Sequence, residues 1–303
     1  MEQRGISGRR ACWLLGLSRR WRGYQSRRKE RDMIDTLKEL ARQHPRFGYR
    51  RLHQMLLRQA RARGQDPRIN VKRVHRLCVL AGLKLPVRKR RKRRGLGVQF
   101  PVVAEYPNHV WAYDFVFDWC ENGRPLKLLT IIDEYTRECL EIEVDHRMGA
   151  RQVCEVLERL MRERGAPAFV RSDNGPEFIA RCLARMLAVK GVACTHIDPG
   201  SPWQNGKNER FNGIFRDECA NRETFHQRAH ARAISQLFRR YYNTARPHSS
   251  LGYQTPAEFA RRHPPLGAGS VVMRSNVPSP APNGGCRNVP SGASLPRGPI
   301  HSL

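Results

Sequence analysis

The sequence predicts an α/β protein, a mixed five-stranded sheet with helices on both faces, preceded by a strongly basic all-α domain. Three observations lead there. Positive charge is gathered at the front, net +24 over residues 1–100 against +5 over 101–303. Apolar residues recur at helical spacing from residue 30 to about 80. From Val110 the period shortens to that of strands, and strands then alternate with helices. A chain of 303 residues is long enough for two domains with separate cores.

Residues 1–29 form a basic N-terminal segment. Its GRRACWLLGLSRR stretch has a twin-arginine flavour, but Ala11 to Leu17 is short and runs into more arginine rather than a cleavage site. In 30–43, Met33, Leu37, Leu40 and Ala41 share one helical face, and after HPRFG the pattern returns with Leu52, Met55 and Leu56. Asn70 is a good N-cap for a third helix, in which Val71, Val74, Leu77 and Cys78 face inward and Lys72, Arg73, His75 and Arg76 outward. Three short helices with a basic outer face on the last read as a helix-turn-helix domain over 30–83 with Lys72, Arg73 and Arg76 toward DNA; a small bundle with a solvated basic face has the same pattern. A linker over 84–105 follows. Its seven consecutive cations, Arg88, Lys89, Arg90, Arg91, Lys92, Arg93 and Arg94, repel one another and suit phosphate tracking without base reading.

Three strands are expected over 110–119, 126–136 and 138–146. The first two read as buried on both faces, and the third as half-exposed because Leu140, Ile142 and Val144 alternate with acids. A helix over 149–163, a strand over 168–172, a helix over 177–190 and a strand over 192–197 come next, with mostly helix to Arg246. This α/β domain spans 106–262. Over 264–303, half of the residues are Pro, Gly or Ser, so 263–303 reads as a disordered tail. Nine scattered cysteines without a C-x-x-C pair suit a reducing cytoplasm, no apolar run is long enough to span a bilayer, and the charge of +29 points to a polyanion, nucleic acid before membrane.

Three carboxylates stand out. Alternation on the first strand puts Asp114 on one face with Ala112, Val116 and Asp118, and Tyr113, Phe115 and Phe117 on the other. A carboxylate in so apolar a strand needs a counter-charge, which a metal ion, an arginine or open water could each supply. Asp173 lies where a short strand meets Asp-Asn-Gly, the place where open α/β sheets hold ligands and also ideal turn chemistry. If Asn205 begins a helix, Asn205, Asn212 and Arg216 fall within about 40°, 60° and 20° of Glu209, with Phe211, Ile214 and Phe215 on the far side. Glu209 would then stand on an acid-amide-arginine face, or simply complement the helix dipole. Taken together, three acids on two strands and a helix can converge at the end of one sheet and hold a pair of hard cations for phosphoryl transfer.

Asp114, Asp173 and Glu209, with 35 residues between the last two, resemble the D, D-35-E signature of retroviral integrases and bacterial transposases with a ribonuclease H-like core. Arg216 matches the basic residue usual seven positions later. The segments HPRFGYRRLHQML, INVKRVHRL, SDNGPEF, QNGKNERFNG and YYNTARPHSSLGYQTPAEF closely resemble the second-reading-frame product (OrfB) of IS-three family insertion sequences, from about Ala11 to Phe259. The resemblance implies a ribonuclease H-like catalytic core over 106–262. It also implies two Mg²⁺, replaceable by Mn²⁺, on Asp114, Asp173 and Glu209, with Arg216 on DNA phosphate and Asn205 and Asn212 as weaker candidates for contact with the substrate or with the site's own acids. The expected reaction is cleavage of a phosphodiester at an element end by water, then attack of the freed 3′-hydroxyl on another strand. Expected partners are element-end and target DNA, the upstream-frame (OrfA) product or a fusion with it, and further copies on DNA, in a bacterial cytoplasm at the nucleoid and without membrane. A DNA-binding regulator or inactive relic is the alternative, and a nuclease without joining activity a third reading.

Overall fold

The computed structural model describes residues 7–22, 30–66, 68–86, 102–173, 175, 180–196 and 206–264. The basic run from Arg88 to Arg94, Asn205 and the tail after Pro264 lie outside the described residues. Among the described residues, no helix is long and apolar enough to cross a membrane.

Helix α1 (Gly8–Leu14), capped by the Ser7 side chain, and α2 (Arg19–Arg22) lead into three helices, α3 (Arg31–Gln43), α4 (Tyr49–Ala62) and α5 (Val71–Leu80). Leu37, Leu40, Phe47, Leu52, Leu56, Val74, Leu77 and Cys78 form their common core. Asn70 caps α5 by accepting from the Lys72 N–H at 2.8 Å. Val71, expected to face inward, is exposed: it occupies the first turn, ahead of the point where α5 meets its neighbours.

The sheet has the order β3-β2-β1-β4-β5, made of β1 (Val110–Trp119), β2 (Pro125–Asp133), β3 (Cys139–Asp145), β4 (Phe169–Ser172) and β5 (Ala193–His196). The first three pair as an antiparallel meander and β4 and β5 add in parallel, so the sheet is mixed as expected. On one face α6 (Ala150–Arg164) and α7 (Arg181–Val189) cover Trp111, Tyr113, Leu129, Ile131 and Val170. On the other, α8 (Gly206–Glu218) and α9 (Arg228–Thr244) cover Ala112, Val116, Leu128, Ile142 and Val144.

Two expectations about exposure are corrected. The outer strand β3 is covered on both sides, with Glu141 only 6% exposed, because Arg159 of α6 and Gln236 and Arg239 of α9 reach its carboxylate. Glu143 is likewise met by Arg159 and Arg232. Strand β1, expected to be buried throughout, leaves Phe117 and Trp119 63% and 64% exposed, because β4 pairs only with Val110 to Ala112 and the β1–β2 hairpin runs on past the sheet.

The helical domain docks on the side of the core that carries α8 and α9. Arg58 of α4 makes a two-pronged ion pair with Glu258 of α10 (Pro256–Arg262), at 2.8 and 2.6 Å. His44 stacks on Tyr241 and hydrogen-bonds its hydroxyl at 3.1 Å. Beside them Arg246, 1% exposed, donates twice to Glu218 at 2.7 and 2.6 Å, with its guanidinium 5.6 Å from the Phe47 ring centre.

Candidate active site

Asp114 sits midway along β1 with its side chain on the α8 face, alongside Ala112 and Val116 as the alternation predicts. Its Oδ1 accepts the Phe115 N–H at 2.7 Å, and its Oδ2 accepts the Asn212 amide of α8 at 2.9 Å. The Thr130 hydroxyl, from the opposed residue on β2, lies 2.9 Å from Asn212 Oδ1 and 3.1 Å from the Asp114 carbonyl. Burial pushes the Asp114 carboxyl up to about 6, and the charges of Asp173 and Glu209 push the same way, against the hydrogen bonds from Phe115 and Asn212.

The parallel register places Asp173. Val110 pairs with Phe169 and Ala112 with Arg171, where the pairing ends, so Asp114 and Asp173 each lie two residues beyond the last pair. Asp173 is exposed just past β4, and its Oδ1 accepts the Gly175 N–H at 3.1 Å, so the turn chemistry and the placement at the strand end coexist. Glu209 lies in the first turn of α8 and is exposed, as is Arg216 two turns later. Phe211 and Phe215 bury the opposite side against the sheet. Asp173 and Glu209 lie on elements adjacent to β1, near enough for their charges to act on the Asp114 carboxyl. Among the described residues, no group of three His, Cys, Asp or Glu side chains is close enough to hold a metal ion.

Asn212, a weaker candidate in the sequence for contact with the substrate or with the site's own acids, touches one of those acids. It is 8% exposed and turned to Asp114, which it can reach because it lies about 60° round the helix from Glu209, toward the sheet. Of the cations expected at DNA, Lys72 is exposed, whereas Arg73 and Arg76 both meet Glu30, at 3.4 Å for Arg73.

Three further charged residues had no signal in the sequence. Glu134, just after β2 and 1% exposed, accepts Arg171 Nη1 at 2.6 Å, and Lys207 Nζ lies 2.8 Å from its other oxygen. Arg171 is two residues before Asp173 and Lys207 two before Glu209.

A five-stranded mixed sheet of order β3-β2-β1-β4-β5, with helices on both faces, is the architecture of an integrase-type core, the class of the polynucleotidyl transferases. Models described as integrase core domain match residues 104–202 and 190–256, and one described as HTH-like domain matches 27–91. The chain is 44% identical over 266 residues to an uncharacterized 31.7 kDa protein of insertion element IS407 from Burkholderia multivorans, spanning 86% of this chain and 93% of that one. It is 30% identical to the transposase InsD of insertion element IS2 from Escherichia coli, over 76% of this chain and 79% of that one. The HTLV-2 integrase catalytic core domain in complex with magnesium (dimeric form) aligns at 16% identity over 51% of this chain and 97% of that one, with a TM-score of 0.40. The chain belongs to the insertion-sequence transposases, as a second-reading-frame product of the IS-three family. It is a DNA-binding enzyme of transposition, with an integrase core behind a helix-turn-helix-like domain.

Proposed function

We propose that Asp114, Asp173 and Glu209 are the catalytic carboxylates and that the enzyme cleaves and joins DNA with a pair of Mg²⁺ ions, which Mn²⁺ can replace. The observation that supports this reading is that Asp114 and Asp173 each lie two residues beyond the last β1–β4 pair, while α8, whose first turn bears Glu209, sends Asn212 to the Asp114 carboxylate. The donor set suits hard divalent cations: three carboxylates, of which the half-buried Asp114 is pushed toward its protonated form by burial and by the charges of the other two. Bound Mg²⁺ would supply Lewis acidity toward the scissile phosphate and neutralise charge on the leaving oxygen.

The chain's own residues prepare that site. The Asn212 amide and the Phe115 N–H hold both oxygens of Asp114, which fixes the carboxylate's plane, and Thr130 fixes Asn212 in turn. The Asp173 turn aims its carboxylate off the strand end. In the first reaction a water oxygen bonds to phosphorus at the element end and the 3′-oxygen leaves with a proton. In the second that 3′-hydroxyl attacks a target phosphodiester, losing its proton as the target's own 3′-oxygen departs. No protein–DNA bond forms.

Arg216, the exposed Lys72 and the Arg88 to Arg94 run meet DNA phosphates, with Arg73 and Arg76 beside Lys72 on the same helix. The domains divide as 30–83 for binding and 106–262 for catalysis. The working assembly is an oligomer on element ends and target DNA with the upstream-frame product, in the cytoplasm at the nucleoid. The test is a gel assay of labelled element-end DNA in Mg²⁺ or Mn²⁺, with wild type and Glu209→Gln, each alone and with the upstream product. Joined strands from wild type only are expected; equal joining by the variant would refute the assignment.

A further inference from the structure

Glu134 holds two cations that arrive from different parts of the fold. Arg171 comes from β4 and is 4% exposed; Lys207 comes from the first turn of α8 and is 31% exposed. The second arm of Arg171 donates to the Val102 carbonyl at 2.5 Å, so that guanidinium is fixed at both ends. The Glu134 N–H donates to the Val110 carbonyl at 3.0 Å, which anchors the carboxylate's backbone to the start of β1.

The spacing matters because each cation lies two residues before a proposed catalytic acid. Arg171 lies on β4 one residue before its end, so fixing its guanidinium holds the strand end from which the chain runs to Asp173. On a helix, residues two apart are about 200° apart, so drawing Lys207 inward turns Glu209 outward. One buried carboxylate therefore sets both the end of β4 and the rotation of α8. Without it, two cations of like sign would share a largely buried space and push the elements apart.

We propose that Glu134 is a positioning residue which, through Arg171 and Lys207, holds Asp173 and Glu209 in register for divalent-cation binding. This rests on the carboxylate reading given above. The deciding experiment is Mn²⁺ binding to the full chain, followed by loss of the free-ion electron paramagnetic resonance signal, for wild type, Glu209→Gln, Lys207→Met, Lys207→Arg and Glu134→Gln. Far-ultraviolet circular dichroism identifies the variants that fold.

Lys207→Met is the critical variant, because the two explanations differ in sign. Removing a nearby positive charge, with no positioning role, tightens Mn²⁺ binding. Loss of positioning weakens it, by about tenfold or more as for other groups that orient metal ligands. Weaker binding in folded Lys207→Met and Glu134→Gln, with recovery in Lys207→Arg, is the expected result. Equal or tighter binding in Lys207→Met, while Glu209→Gln binds poorly, overturns the positioning role alone. Wild-type Mn²⁺ binding by Glu209→Gln overturns the carboxylate reading and this inference with it.

Discussion

Replacing Asn212 by Leu removes the side-chain donor that the structure gives Asp114 and leaves the shape of the helix face nearly unchanged. The bond is 2.9 Å long and ends on a half-buried carboxylate, a class of contact that contributes about 1.5–3 kcal/mol. Its loss should raise the Mn²⁺ concentration for half-maximal strand joining by between roughly tenfold and 100-fold. Thr130→Val, which acts one contact further away, should have a smaller effect. The hydroxyl divides a single proton between Asn212 Oδ1 and the Asp114 carbonyl, so about 1 kcal/mol, or roughly fivefold, is the ceiling. The assay is joining of labelled element ends with the upstream product, titrated with Mn²⁺. If Asn212→Leu stays within about twofold of wild type, the Asn212–Asp114 contact does not prepare the site, and the reasoning fails.

Three further outcomes concern the junction between the helical domain and the core. His248 is buried beside Arg246, and burial followed by the charges of Arg246 and Arg51 hold its imidazole down to about 3, so the unfolded chain takes up the extra proton below its ordinary value near 6.5. The stabilisation is therefore complete above pH 6.5 and is lost as pH falls. Relative to wild type, His248→Gln should gain about 2 kcal/mol in urea unfolding on going from pH 7.5 to pH 5, and an unchanged gap would contradict this. Glu218→Gln leaves the Arg246 guanidinium buried beside a neutral amide and should cost about 3 kcal/mol in the same assay. Arg58→Ala opens a pair that is partly exposed on both sides and should cost under about 1 kcal/mol, so a loss larger than that of Glu218→Gln would reverse the order argued here.

The parts legible in the sequence were those with local causes. Helical and strand periods gave the order of elements, Asn70 announced its helix, and Asp-Asn-Gly announced the turn after β4. Asp114 could be assigned a face because alternation is a property of the strand alone. What stayed hidden was pairing across distance. Glu134 reads as an ordinary strand-end acid until Arg171 and Lys207 arrive from 37 and 73 positions away. The acids of β3 looked solvent-facing because nothing nearby in the chain shows that Arg159, Arg232 and Arg239 reach them. Helical angles put Asn212 near Glu209, yet only the depth of α8 against β1 decides that the amide turns to Asp114. The YYNTARPHSSLGYQTPAEF segment was visible as a motif, and the fold shows part of its work: Tyr241, Arg246 and Glu258 meet the helical domain.

The central claim is that the three acids are ligands of the cations that drive strand joining. Asp173→Cys tests it most directly, because a thiolate is a softer ligand that accepts Mn²⁺ more readily than Mg²⁺. The account predicts no joined product from this variant in Mg²⁺ and recovered product in Mn²⁺. Joining in Mg²⁺ at the wild-type level would contradict it.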